Sequence, residues 1–219
     1  MLKKLNRIIK DNRKYILLSF LLLLLGVIVG FIFKNQFQEY VQAVFKRMSG
    51  VVNQVDNITN PFSLLLLILK NNILAVISMI AIGLLSFGIY AIISLILNGV
   101  IIGFLMSMYA GAGVNPWGIF TVGLLPHGIF EFPAIILACA IGIRLGVLAI
   151  QWLSGLLFGQ KREKTKRNVQ LFLKDFPFLF GTVIVLLIIA AAVESYITPG
   201  LLHAYFNVDE LGVIKETFR

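Results

Sequence analysis

ILAVISMIAIGLLSFGIYAIISLILNGVIIGFLMSMY, residues 73–109, carries no Asp, Glu, Lys or Arg. A helix crosses the hydrocarbon core of a bilayer in about 20 apolar residues. A charge-free stretch this long therefore holds two crossings and a tight turn. Ser86-Phe87-Gly88 is the turn, because glycine admits the backbone conformations that a sharp reversal needs. The second and third spans are then residues 73–86 and 89–109. Phe62–Leu69 is too short to cross alone. It lies at the interface and ends at Lys70-Asn71-Asn72, or it joins 73–86 as one bent helix.

The whole chain has the same character. Of its 219 residues, 59% are hydrophobic and 13% charged. Soluble domains have about 45–50% apolar and about 25% charged residues, so soluble globular classes are excluded. The net charge of +9 invites a nucleic-acid partner, but its distribution argues otherwise. Six of the 19 Lys and Arg residues fall in 1–14 and six more in 161–174. Both groups flank apolar segments, as charges that set topology do. Anionic membrane lipids are the expected partner, and nucleic acid is not. Cys139 is the single cysteine, so no intrachain disulfide forms.

Toward the N-terminus, Tyr15–Phe33 is the first span, too long for a cleaved signal and read as a retained anchor. Residues 1–14 place Leu2, Leu5, Ile8 and Ile9 on one face and predict a short cytoplasmic helix lying on the membrane surface. Residues 34–61 leave the membrane. Val41, Val44, Phe45, Met48, Val52 and Val55 recur there at helical spacing, which predicts an amphipathic helix in an outer loop. Asn60-Pro61 reads as an N-cap followed by proline at the first helical position.

Toward the C-terminus, 111–118 is loop-like, and 119–158 is apolar for long enough to cross once or twice. The charges decide between these. Residues 1–14 and 160–175 are both strongly basic and should share the cytoplasmic side. That requires 119–158 to cross once, so 119–133 is read as a re-entrant or broken segment leading into a fourth span at about 134–157. Phe176–Val193 is the fifth span, and 195–219 is an outer tail. The expected fold is all-α: one polytopic plasma-membrane domain over 1–219, with about five transmembrane helices, N-terminus cytoplasmic and C-terminus outside. Lys166 and Asp209 should lie on opposite sides.

Ionisable residues at membrane depth are costly and are functional candidates by default. Here they are Glu131, Arg144 and Glu194, with His127 and Asn98 as polar companions. In LLPHGIFEFPAI, residues 124–135, Pro126 suits the first turn of a helix, and His127 and Glu131 follow on one face at i and i+4. The pair holds a proton, ligates a metal, or clasps the surrounding backbone, and the clasp is the preferred reading. Arg144 should sit near mid-depth in the fourth span, at the level of Asn98. His127, Glu131, Glu194, Asn71 and Asn72 should lie toward the outer leaflet. Two ligands are too few for a metal, so neither metal nor cofactor is expected. GxSxG, P-loop and HExxH patterns are absent, which argues against an enzyme.

Gly26/Gly30, Gly99/Gly103 and Gly142/Gly146 are each GxxxG, a spacing that lets helices approach closely. Packing within the chain is the preferred reading, although the same spacing also permits a homo-oligomer.

NGVIIGF with Asn98 and Gly99, LPHGIFEFPA with Pro126, His127, Gly128, Glu131 and Pro133, GIRLG with Gly142, Arg144 and Gly146, and AAAVESYITP with Glu194, Thr198 and Pro199 together resemble the stage II sporulation protein M family. The likeness covers roughly 62–204. It implies a multispan membrane protein with no agreed catalytic residues, which in sporulating bacteria partners cell-wall hydrolases during septal engulfment. The expected function is therefore a non-enzymatic scaffold for envelope-remodelling membrane proteins. The alternative is a transporter, channel or lipid-handling protein with a polar site around His127, Glu131 and Arg144. An intramembrane hydrolase built on His127 and Glu131 is a third class.

Overall fold

Neither proline nor glycine interrupts residues 2–25. In the structure, a computed structural model that describes residues 2–52, 60–158, 162–207 and 210, they run without a break into the first span as α1, Leu2–Ile32. The separate surface helix expected over 1–14 is thus corrected, since residues 2–14 are the opening turns of α1. Amphipathic spacing cannot say whether a helix lies flat or stands upright. Burial decides it here. Ile8 belongs to the same apolar cluster as Leu148 and Phe172, and Asn12 is buried one turn further on.

The expected outer amphipathic helix is α2, Lys34–Val52, which buries Val41 and packs on α4. Val55 and the rest of 53–59 lie outside the described residues. Asn60 then caps α3, Pro61–Leu85, its side chain accepting from Phe62 N at 3.0 Å with Pro61 at the first position. Phe62–Leu69 and the second span are a single helix. Lys70 and Asn71 are exposed on its surface and do not interrupt it.

The turn falls at 86–88, where the sequence predicts it. Phe87 and Gly88 adopt φ values of 56° and 94°. Ser86 Oγ donates to Ile82 O at 2.7 Å and accepts from Tyr90 N at 3.0 Å, joining the end of α3 to α4, Ile89–Gly111.

The largest departure is at 119–133. A short helical turn, α5, Pro116–Gly118, passes into a π-helix, Ile119–Leu124, and that into α6, Leu125–Phe158. The segment is not re-entrant. It is continuous with α6, so the re-entrant alternative is corrected, while the broken one holds as a shift in hydrogen-bond register. A π-helical turn absorbs extra residues without ending a helix. Pro126 lies just after that shift, and Pro133 is accommodated inside α6 on an exposed face. The last span likewise starts early, as α7, Arg162–Tyr196, followed by the short α8, Thr198–Tyr205.

Among the described residues, five helical stretches are long and apolar enough to cross a membrane: Arg7–Ile32, Pro61–Leu85, Ile89–Gly111, Pro116–Gly155 and Glu163–Tyr196. α6 is central, touching α1, α3, α4 and α7. Ala134, Ala138 and Ala140 are buried on it and let its neighbours come close. The glycine pairs do the same elsewhere. Gly26 and Gly30 of α1 face Gly99, Val100 and Gly103 of α4 backbone to backbone, while Gly142 and Gly146 face Met79, Ala91 and the 86–88 turn. The bundle thus has a turn end, where Gly146 meets Phe87 and Gly88, and a loop end, where α8 packs on the π-helix.

Candidate functional site

At the loop end, the first turns of α6 carry His127 and Glu131, the last turn of α7 carries Glu194, and α8 opens on Thr198. The i, i+4 spacing sets His127 Nε2 3.9 Å from Glu131 Oε2. Glu194 completes a triangle, with one nitrogen and two carboxylate oxygens lying within 4.8 Å of one another. His127 is 7% exposed, and the Glu131 side chain is 24% exposed. Thr198 Oγ1 stands 3.5 Å from His127 Nδ1.

Local sequence builds this corner. Gly128 leaves space into which the Phe132 ring folds back, and a Cβ there would meet that ring at 2.8 Å. Gly118 does the same for Tyr205 and Phe206, whose rings pack edge to face at 4.9 Å between centroids. Phe206 joins Leu105, Tyr109, Val114 and Ile119 in a second apolar cluster, which holds α8 against the π-helix beside the polar triangle.

Arg144 and Asn98 do not belong to this site. Arg144 is 13 residues beyond Glu131 on α6, about 20 Å along the axis. It lies near the turn end rather than at mid-depth. Its Nη1 donates to Asn12 Oδ1 at 2.5 Å, and its guanidinium sits 4.9 Å from the Phe172 ring centroid. Asn12 Nδ2 in turn donates to Ile8 O at 2.7 Å. Nearby, Arg7 Nη2 pairs with Asp175 Oδ1 at 2.6 Å. Asn98 Nδ2 bonds Ser94 O at 2.9 Å within α4. The five expected cluster residues therefore divide, with three at the loop end, Arg144 at the turn end and Asn98 alone between them.

Asn12 and Asp175 were missed by sequence reasoning. Both look like flanking charge-rich residues beside a span, and only the continuity of α1 and α7 brings them to Arg144. A lone Asp after the basic run 161–174 was the available signal.

The sequence model of the Stage II sporulation protein M family matches residues 19–199. An uncharacterized protein of Methanocaldococcus jannaschii is 33% identical over 184 residues, covering 84% of this chain and 93% of that protein. A second uncharacterized protein of the same organism is 29% identical over 201 residues, covering 90% of this chain and 86% of the relative. No solved structure gives a significant match.

Proposed function

The chain belongs to the stage II sporulation protein M family of membrane proteins, and from that membership we propose that it is a non-enzymatic scaffold holding envelope-remodelling proteins at the membrane. The observation that carries this reading is the closed middle of α6. Between its two polar ends, Ala134, Ile135, Ile136, Ala138, Cys139, Ala140, Ile141 and Ile143 are all buried. A carrier or channel requires polar groups along its path, usually near the membrane midplane. Here the ionisable side chains fall into two groups separated by that apolar stretch, with Asn98 bonded inside α4, an arrangement that favours docking partners over a continuous polar path. α2 adds a further face, resting on α4 and leaving Gln36, Gln38 and Glu39 exposed.

The basic segments favour a cytoplasmic turn end under the positive-inside rule, with anionic lipids as its expected neighbours. Lys166→Cys and His203→Cys, made in a Cys139→Ser background, are expected to react with an impermeant thiol reagent from opposite sides of intact cells. Asp209 lies outside the described residues, so His203 on α8 reports the tail. Labelling of both from one side would overturn the orientation.

The role itself is tested in two arms. Affinity purification from solubilised native membranes should recover envelope or wall-remodelling proteins, with recovery lost when 34–52 is replaced by a flexible linker. In a sporulating host the expected station is the engulfing septum. Purified protein in liposomes should pass no ions or protons above empty vesicles. A flux that Glu131→Gln abolishes would replace the scaffold with the transport reading.

A further inference from the structure

The loop-end triangle has a bonding pattern that its own residues leave incomplete. Thr198 Oγ1 lies 3.3 Å from Val193 O and 3.5 Å from His127 Nδ1, and with its proton on Val193 O it turns a lone pair toward the imidazole. The imidazole then carries its proton on Nδ1 and presents a bare lone pair at Nε2. That nitrogen faces Glu131 at 3.9 Å, with Glu194 closing the group. Three acceptors converge from two helices, and among the described residues no Lys or Arg pairs with either carboxylate. Two carboxylates this close repel each other, and either a shared proton or a cation between them relieves the repulsion.

We propose that His127, Glu131 and Glu194 bind one divalent transition-metal ion of the zinc or manganese class. One imidazole nitrogen with two carboxylate oxygens is a borderline-to-hard donor set suited to such ions. Metal–ligand bonds of about 2.0–2.2 Å in a tetrahedron separate ligand atoms by about 3.4 Å, so closing the triangle takes side-chain shifts of about 1 Å. Thr198 acts as the outer partner that fixes the imidazole tautomer, as partners of metal-bound histidines do. The partial exposure of Glu131 opens the site at the loop end, leaving a coordination position for water or a ligand. Glu194, 63 residues beyond Glu131, supplies the ligand that a count within the LPHGIFEFP motif omits. This site stands whether or not the scaffold role does.

The test uses the full chain purified in detergent, stripped with a chelator, reloaded with Zn²⁺ or Co²⁺ and desalted. Elemental analysis should find about one equivalent of Zn²⁺ per chain. The Co²⁺ form should show visible d–d bands. Glu194→Gln and His127→Ala should each weaken Zn²⁺ binding at least about tenfold, whereas His203→Ala, an exposed histidine on α8, should bind as the wild type. If His127→Ala aggregates, Glu194→Gln decides, since it changes one oxygen to nitrogen. Wild-type protein retaining no more Zn²⁺, Co²⁺ or Mn²⁺ than the Glu131→Gln/Glu194→Gln double variant would overturn the proposal and leave a site that only shares protons. Displacement of Co²⁺ by equimolar Mg²⁺ or Ca²⁺ would overturn the transition-metal assignment.

Discussion

Gly103→Leu is expected to separate α1 from α4 and leave little protein that elutes as a single species. A Cβ at Gly103 would meet Val27 O and lie 2.7 Å from Phe31 N. At Gly99 it would meet Leu23 O and lie 2.9 Å from Val27 N, while Gly26 and Gly30 present the reciprocal surface to Ile96 and Val100. Every one of these obstacles is backbone, so no side-chain rotation relieves the clash and the helices must move apart. Overpacking a tight site costs about 1–3 kcal/mol even where side chains give way, and more where they cannot. Lipid tails are as apolar as leucine, so no hydrophobic drive compensates for the lost contact. Gly181→Leu is the matched control, because nothing lies within 4 Å of a Cβ added there on α7. Heating both variants in detergent and following the monodisperse peak should show Gly181→Leu melting with the wild type and Gly103→Leu far below it. Equal melting would place the α1–α4 contact elsewhere.

Those glycines also mark how far the sequence could be read. Their i, i+4 spacing is visible in the string, but which helix each pair meets is not, because spacing carries no information about the partner. The turn at 86–88 was readable because a charge-free run twice the bilayer thickness must reverse, and glycine indicates where. The misread segments share one cause. Lys70-Asn71-Asn72, the basic start of α1 and the Pro-Gly-rich 119–133 look like ends of helices in the sequence because they are polar or carry breakers. Each is instead a local feature inside a continuous helix: exposed side chains on α3, a buried face on α1, and a register shift before α6. The site was half readable for the same reason. His127 and Glu131 come together through helical spacing alone, and Glu194 joins them because both lie at span ends of like orientation. Arg144 was misplaced because its depth was counted from a span centre, whereas the helix carrying it extends well past the 86–88 turn.

Arg144→Met should be the most damaging substitution at the turn end, and its cost should depend on Asn12. The guanidinium supplies the hydrogen to Asn12 Oδ1 and stacks over Phe172, linking α1, α6 and α7 through one side chain. Asn12 is 3% exposed, and its Nδ2 is committed to Ile8 O, so it cannot turn to find another donor. Removing Arg144 leaves a buried acceptor unpaired, at about 1–3 kcal/mol. Losing the cation over the ring adds about 0.5–2 kcal/mol. Arg144→Lys should fall between wild type and Met, because an ammonium keeps the charge but lacks the planar fork that reaches Asn12 while lying on the ring. Asn12→Leu in the wild-type background strands the guanidinium and is costly for the converse reason. The double variant, Arg144→Met with Asn12→Leu, removes both halves of the bond and orphans neither. It should therefore be less destabilised than the two single variants summed, by about 1–2 kcal/mol. Denaturation of the four proteins in one detergent, followed by helical circular dichroism, measures that difference. Strict additivity would mean that the contact contributes nothing to holding the three helices together, and the packing of Ile8 with the Arg7–Asp175 pair would then account for the upright start of α1.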